Sequence, residues 1–168
     1  VYTLREDSNG TLWIGTRNGV ARWHNGTLTS FQVKDGLSYD YVLTMYIDVE
    51  KNIWIGTDGG GLDVLRDGLF TMHGTKEGFP SNIIWSTYED AQKRKWIGTD
   101  GGLVKIEYDT PSTLKVYTTK DGLYDNEVYS IAVDKKGIVW VGTVNGLNII
   151  ENGKVKSVPP VKQTKNII

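Results

Sequence analysis

The 168-residue chain balances 19 basic against 20 acidic side chains, so no overall charge draws it to nucleic acid or to an anionic membrane. It has no cysteine, which excludes a disulfide scaffold, thiolate zinc sites and cysteine nucleophiles. Its 20 glycines and 11% aromatic residues suit short strands joined by tight turns.

From the N-terminus, "VYTLRED" reads as a first strand ending at Asp7, whose short side chain favours a turn at Asn9-Gly10. "LWIGT" follows as a second strand rich in β-formers. Asn18-Gly19 then predicts a type I′ hairpin turn, because both central residues of that turn need positive φ. "VARWHN" makes the third strand, Asn25-Gly26 the next turn, and "LTSFQV" the fourth strand.

The same order returns three times. First strands are "VLTMYID", "IWSTYED" and "VYSIAVD"; second strands are "IWIGT", "KWIGT" and "VWVGT"; third strands are "LDVLRD", "LVKIEY" and "LNIIEN". Fourth strands are "FTMHGT", "LKVYTT" and "KVKSVP", with the longer "DTPST" preceding the second of these. Trp13, Trp54, Trp96 and Trp140 keep one phase at a period of roughly 42, as do Asp7, Asp48, Asp90 and Asp134 and the leading Val1, Val42, Ile84 and Val128.

Four antiparallel strands per repeat of about 40 to 50 residues predict an all-β fold, a β-propeller of four four-stranded antiparallel blades. The periods run 1–41, 42–83, 84–127 and 128–167. "TKNII" at 164–168 matches "PSNII" at 80–84, which puts Ile168 at the start of a fifth period and points to a segment of a larger, six- to eight-blade propeller. No apolar run reaches the ~18 residues of a membrane span. "VYTLRED" lacks the basic and apolar regions of a leader, so any targeting or anchoring segment is expected outside this stretch.

The pattern "ED..G.LWIGT..GL.R", with "Y....DGL....V" leading into the next copy, resembles the two-component regulator propeller repeat. The match is carried by Glu6-Asp7, Gly10, Leu12 to Thr16, Gly19 and Lys34 to Leu37, and by Asp48, Trp54 to Thr57, Glu89-Asp90, Trp96 to Thr99, Asp121 to Leu123, Asp134, Gly137 and Trp140 to Thr143. It extends over essentially residues 1–160. The extra glycine in "DGGGL" and the "PPVKQTKN" in place of an Asp-Gly-Leu loop depart from it. The resemblance implies a periplasmic sensor propeller of hybrid histidine kinases, within a membrane-anchored parent that responds to glycans and acts as a dimer.

Recurrence separates scaffold from site. The four Trp, and Leu37, Phe79 and Leu123, are expected between blades. The four Asp repeat in phase and read as turn residues, not as an acid/base pair. There is no "GxxxxGK[ST]" phosphate loop. His24 and His73 form no metal or general-base constellation, and "DGGGLD" lacks calcium-loop ligands, so neither a metal nor a cofactor is expected. Asn9-Gly10-Thr11 and Asn25-Gly26-Thr27 fit the glycosylation sequon but are explained as turns.

What varies between repeats is the loop set on one face: "KDGLSYDY", "KEGFPSN" and "KDGLYDNE". Tyr39, Tyr41, Asn82, Trp85, Tyr124, Asn126 and Tyr129 are therefore the expected ligand-binding residues, aromatics for stacking on sugar rings and amides for hydroxyls. Expected partners are an oligosaccharide, further blades or domains of the same parent chain and a second copy in a homodimer, with no nucleic acid and no membrane contact. An interaction scaffold is the rival reading; a propeller lyase or glycosidase ranks below it.

Overall fold

A computed structural model of the chain describes residues 1–107 and 113–159. They form four antiparallel sheets in strict meander order. Blade 1 contains β1 (Thr3–Glu6), β2 (Leu12–Thr16), β3 (Gly19–His24) and β4 (Thr27–Phe31). Blade 2 contains β5 (Val42–Ile47), β6 (Ile53–Thr57), β7 (Leu62–Arg66) and β8 (Leu69–His73). Blade 3 contains β9 (Ile84–Glu89), β10 (Lys95–Thr99), β11 (Leu103–Glu107) and β12 (Thr113–Tyr117). Blade 4 contains β13 (Val128–Val133), β14 (Val139–Thr143), β15 (Gly146–Glu151) and β16 (Lys154–Ser157). First strands of successive blades lie side by side, β1 against β5, β5 against β9 and β9 against β13, which is the propeller arrangement. Most of the "DTPST" loop and the fifth period expected at Ile168 lie outside the described residues.

The repeated motif is an interblade joint. Trp13 packs with Met45, Ile53, Ile55 and Leu65 of blade 2, Trp54 with Ile84 and Ile97 of blade 3, and Trp96 with Val128, Val139 and Val141 of blade 4. Leu37, Phe79 and Leu123 each close one of these layers, as expected. Trp140 is only half-buried, because no described strand follows blade 4 to cover it. The motif's glycine has a steric reason. A Cβ on Gly15 would lie 2.8 Å from Val42 Cγ1, and one on Gly56 would lie 2.6 Å from Ile84 Cγ2, so the next blade's leading residue fills the space a side chain would need.

The recurrent Asp does more than turn the chain. Oδ1 of Asp7 accepts from the backbone N–H of Asn9 and Thr11, and Oδ1 of Asp90 from those of Gln92 and Arg94. Oδ2 accepts the indole N–H of the Trp six residues on: 3.1 Å for Asp7–Trp13, 2.8 Å for Asp48–Trp54 and 2.8 Å for Asp90–Trp96. Each buried indole thus has its polar partner within its own blade.

One turn assignment is corrected. Type I′ geometry belongs to the hairpins between third and fourth strands, where Asn25-Gly26, Asp67-Gly68 and Asn152-Gly153 all have positive φ. At Asn18-Gly19 only the glycine is left-handed, with φ +89°. Thr16 pairs with Gly19 in an unbroken register, so Arg17 and Asn18 form the tip and Gly19 opens β3. The Thr16 hydroxyl holds that tip, accepting from Asn18 N and donating to Gly19 O at 2.9 Å each, while Gly19 N donates to Asp40 O of the next loop. Val144-Asn145 occupies the same place before Gly146 in blade 4.

Candidate functional site

The loops after each fourth strand fold on one plan. A single turn of 3-10 helix (Val33–Asp35, Thr75–Glu77, Thr119–Asp121) ends at a left-handed glycine, Gly36, Gly78 or Gly122. A side-chain carbonyl or carboxylate seven residues on caps it: Asp40 Oδ1 accepts from Val33 N, Asn82 Oδ1 from Thr75 N and Asn126 Oδ1 from Thr119 N, at 2.8–2.9 Å. Asn82 and Asn126, expected to meet a ligand, therefore commit their carbonyl oxygens to shaping the loop.

Two of the three loops are then latched to the next blade by a buried side chain. Both carboxylate oxygens of Asp63 accept from Ser38 N, at 3.3 and 3.2 Å, and Oδ2 takes the Ser38 hydroxyl at 2.6 Å. Asn148 occupies the same strand position in blade 4 and accepts from Tyr124 N at 2.9 Å. Its Nδ2 donates to Gly122 O and Lys156 O. At the junction between them the loop residue is Pro80, which has no N–H, and the facing position is the buried, apolar Val104. The buried acceptor occurs where the loop offers a donor and is missing where it does not. Burial pushes the Asp63 carboxyl up to about 6, against the lowering pull of the Ser38 bonds.

On this latched frame Tyr39 is 47% exposed and stands over Gly59 and Gly60; a Cβ on Gly60 would lie 2.6 Å from Tyr39 Cβ, which accounts for the extra glycine in blade 2. Tyr124 is 40% exposed and lies on Gly146. Trp85 and Tyr129 pair at 5.0 Å between ring centroids, tilted 51°, with the Tyr129 hydroxyl donating to Glu127 at 2.8 Å. The Trp85 indole N–H and Asp100 Oδ1 are buried atoms without a hydrogen-bond partner. Hydrogen bonding to Glu127 raises the Tyr129 phenol above its ordinary value, with smaller contributions from Asp125 and Asp100.

Tyr41 joins a cluster that sequence reasoning missed. Its hydroxyl donates to Tyr2 Oη at 2.8 Å, and the rings meet at 5.1 Å. Arg17 donates its Nε to Tyr2 Oη at 2.6 Å and lies 5.8 Å from the Tyr2 ring centroid and 5.3 Å from that of Tyr41. The signal was available: Arg17 follows Thr16, where the other repeats have Asp58, Asp100 and Val144. The structure thus gathers the expected residues into separate groups, Tyr41 beside Arg17 and Trp85 beside Tyr129, with Tyr39 and Tyr124 each on its own glycine loop.

At the other ends of the first strands lies a cavity of about 230 Å³ lined by Asp48, Glu50, Asn52, Arg66, Lys93 and Lys95. Carboxylate oxygens of Asp48, Glu50 and Glu89 converge there within 4.8 Å of one another, but the buried Lys95 ammonium sits beside them, 3.5 Å from Asp48 and paired with Glu89. Burial raises the Asp48 carboxyl, yet the Trp54 and Asn52 bonds more than offset it, so it falls below the usual carboxylate range. It is therefore ionised at neutral pH and serves as an acceptor, not as a general acid.

A sequence model for the two component regulator propeller matches residues 1–18, 36–59 and 125–145. Among solved structures, the extracellular domain described for hybrid two component system BT3049 of B. thetaiotaomicron superposes with TM-score 0.78 at 28% identity, over 94% of this chain and 22% of that one. That of BT4673, from the same organism, gives TM-score 0.80 at 24% identity, over 94% and 24%. Virginiamycin B lyase from Staphylococcus aureus shares the fold at TM-score 0.72 and 13% identity, over 95% and 56%. The chain thus spans about a quarter of the length of the extracellular domains it matches. No curated protein matches its sequence.

Proposed function

From a chain that carries two-component regulator propeller repeats, we propose a non-catalytic, ligand-sensing segment of an extracytoplasmic two-component sensor, contributing four blades to a larger, six- to eight-blade ring. The ligand is a glycan or a chemically similar molecule held on the loop face. One observation carries this reading: Tyr39, Tyr124 and Tyr129 remain 40–47% exposed in or beside the two loops that are capped and latched to the neighbouring blade. Rigid, exposed aromatics lose little conformational freedom when a sugar ring stacks on them.

The extracellular relatives support the location, and the phase-locked Asp residues, engaged by indole and backbone N–H groups, support a binding role over a chemical one. Ligand on the loop face is proposed to shift packing between this segment and its neighbours, and so to bias a dimeric receptor. Replacing Tyr39→Ala, Trp85→Ala and Tyr124→Ala together in the full-length receptor tests it. The response to ligand should fall at least about tenfold, as loss of stacked rings worth ~1.4 kcal/mol or more requires. An unchanged response sinks the loop-face assignment.

A further inference from the structure

Arg17 departs from the repeat in both identity and setting. It occupies the tip of the β2–β3 turn, on the loop face, where blade 3 carries Asp100. A lone surface arginine is ordinarily a mobile side chain that loses rotamer entropy on binding. This one is already held: its Nε is spent on Tyr2 Oη at 2.6 Å, and its Cζ lies 5.8 and 5.3 Å from the ring centroids of Tyr2 and Tyr41, which are themselves tied by a hydroxyl–hydroxyl bond of 2.8 Å. Among the described residues no carboxylate pairs with it, and its side-chain hydrogen bonds go to the phenols of Tyr2 and Tyr41. An exposed guanidinium that is held by two phenols and meets no carboxylate suits an oxyanion, since its five N–H donors exceed those two bonds.

We propose that Arg17, clamped by Tyr2 and Tyr41, receives the carboxylate or sulfate of an acidic saccharide on the loop face. This rests on the loop-face reading above and narrows it from glycans in general to acidic ones. Asp100, Asp125 and Glu127 gather beside Tyr129 on the side of blades 3 and 4, so the acidic group is directed toward the Arg17 end.

The full-length protein, titrated calorimetrically with tetragalacturonate, its fully methyl-esterified form and a sulfated galactose tetramer, tests the assignment; the two charged probes separate carboxylate from sulfate. At least one charged probe should bind about tenfold or more tightly than the ester. Arg17→Ala should abolish that preference while leaving the ester unaffected. Arg17→Lys should restore only part of it, because an ammonium lacks the fork, and Tyr2→Phe should weaken it by freeing the guanidinium. Equal binding of acid and ester, or an Arg17→Ala variant that binds acid like the wild type, overturns the proposal, as does failure of all three probes to bind. If ester and acid bind equally and both are lost in Trp85→Ala, the glycan-binding face stands and the acidic preference falls. If acid binding needs Arg17 but is indifferent to Tyr39→Ala, Trp85→Ala and Tyr124→Ala, the anion site stands and the aromatic platform falls.

Discussion

Replacing Asp63 by Asn should stabilise the protein at neutral pH. Asp63 is fully buried, and three bonds from Ser38 do not compensate its charge, so its carboxyl lies at about 6 against an ordinary 3.8. A folded-state value above the unfolded one means that the folded protein binds more protons between those limits. Stability is then greatest below pH ~4, falls as pH rises through about 6, and levels off above ~7. At about 1.4 kcal/mol per tenfold, the gap corresponds to roughly 3 kcal/mol of lost stability at pH 8. Asn148 shows that an amide serves at this strand position, accepting from the loop N–H and donating to two carbonyls. Urea unfolding of wild type and Asp63→Asn, followed by tryptophan fluorescence between pH 4.5 and 8, should show the variant gaining up to about 3 kcal/mol at pH 8 and only about 1 kcal/mol at pH 4.5. A variant less stable than wild type at pH 8, or a difference independent of pH, refutes the account; the charged Asp63–Ser38 latch would then be a net gain.

Two more outcomes follow from the interblade joints. Gly56→Ala should cost about 1–3 kcal/mol, because its Cβ would meet Ile84 Cγ2 at 2.6 Å and Thr44 Cγ2 at 2.5 Å; Gly142→Ala should cost less, since its nearest obstacle is the rotatable Ser130 hydroxyl. Urea midpoints of the two variants provide the comparison, and equal losses would count against the close-approach argument. Val104→Asn alone should destabilise by leaving a buried amide opposite Pro80, whereas adding Pro80→Ser supplies the missing N–H. A double-mutant cycle should give about 1 kcal/mol or more of favourable coupling, and strict additivity would show that the donor–acceptor match across this junction is incidental.

The sequence by itself determined the blades. Trp, Asp and branched residues recurring at one period, with glycine turns between them, specify four-strand meanders, because each anchor reports a local constraint that every copy shares. It also located the variable loops and gave a structural role to Leu37, Phe79 and Leu123, which close the interblade layers. It misassigned the turn at Asn18-Gly19, since dipeptide preference does not reveal that Thr16 pairs with Gly19 and that Asp40 holds the glycine N–H. The polar contacts between blades were not legible. The indole–Asp bonds join residues six apart along one blade and recur with the repeat, but the Ser38–Asp63 latch, its absence at Pro80–Val104 and the seating of Tyr39 on Gly60 join residues more than twenty apart across a junction. Arg17 was visible as a letter, yet its clamping by Tyr2 and Tyr41 needs two blades brought together. Periodicity reports what each strand must do for its own sheet; only packing one blade against the next decides which polar groups are satisfied and which stay open to a ligand.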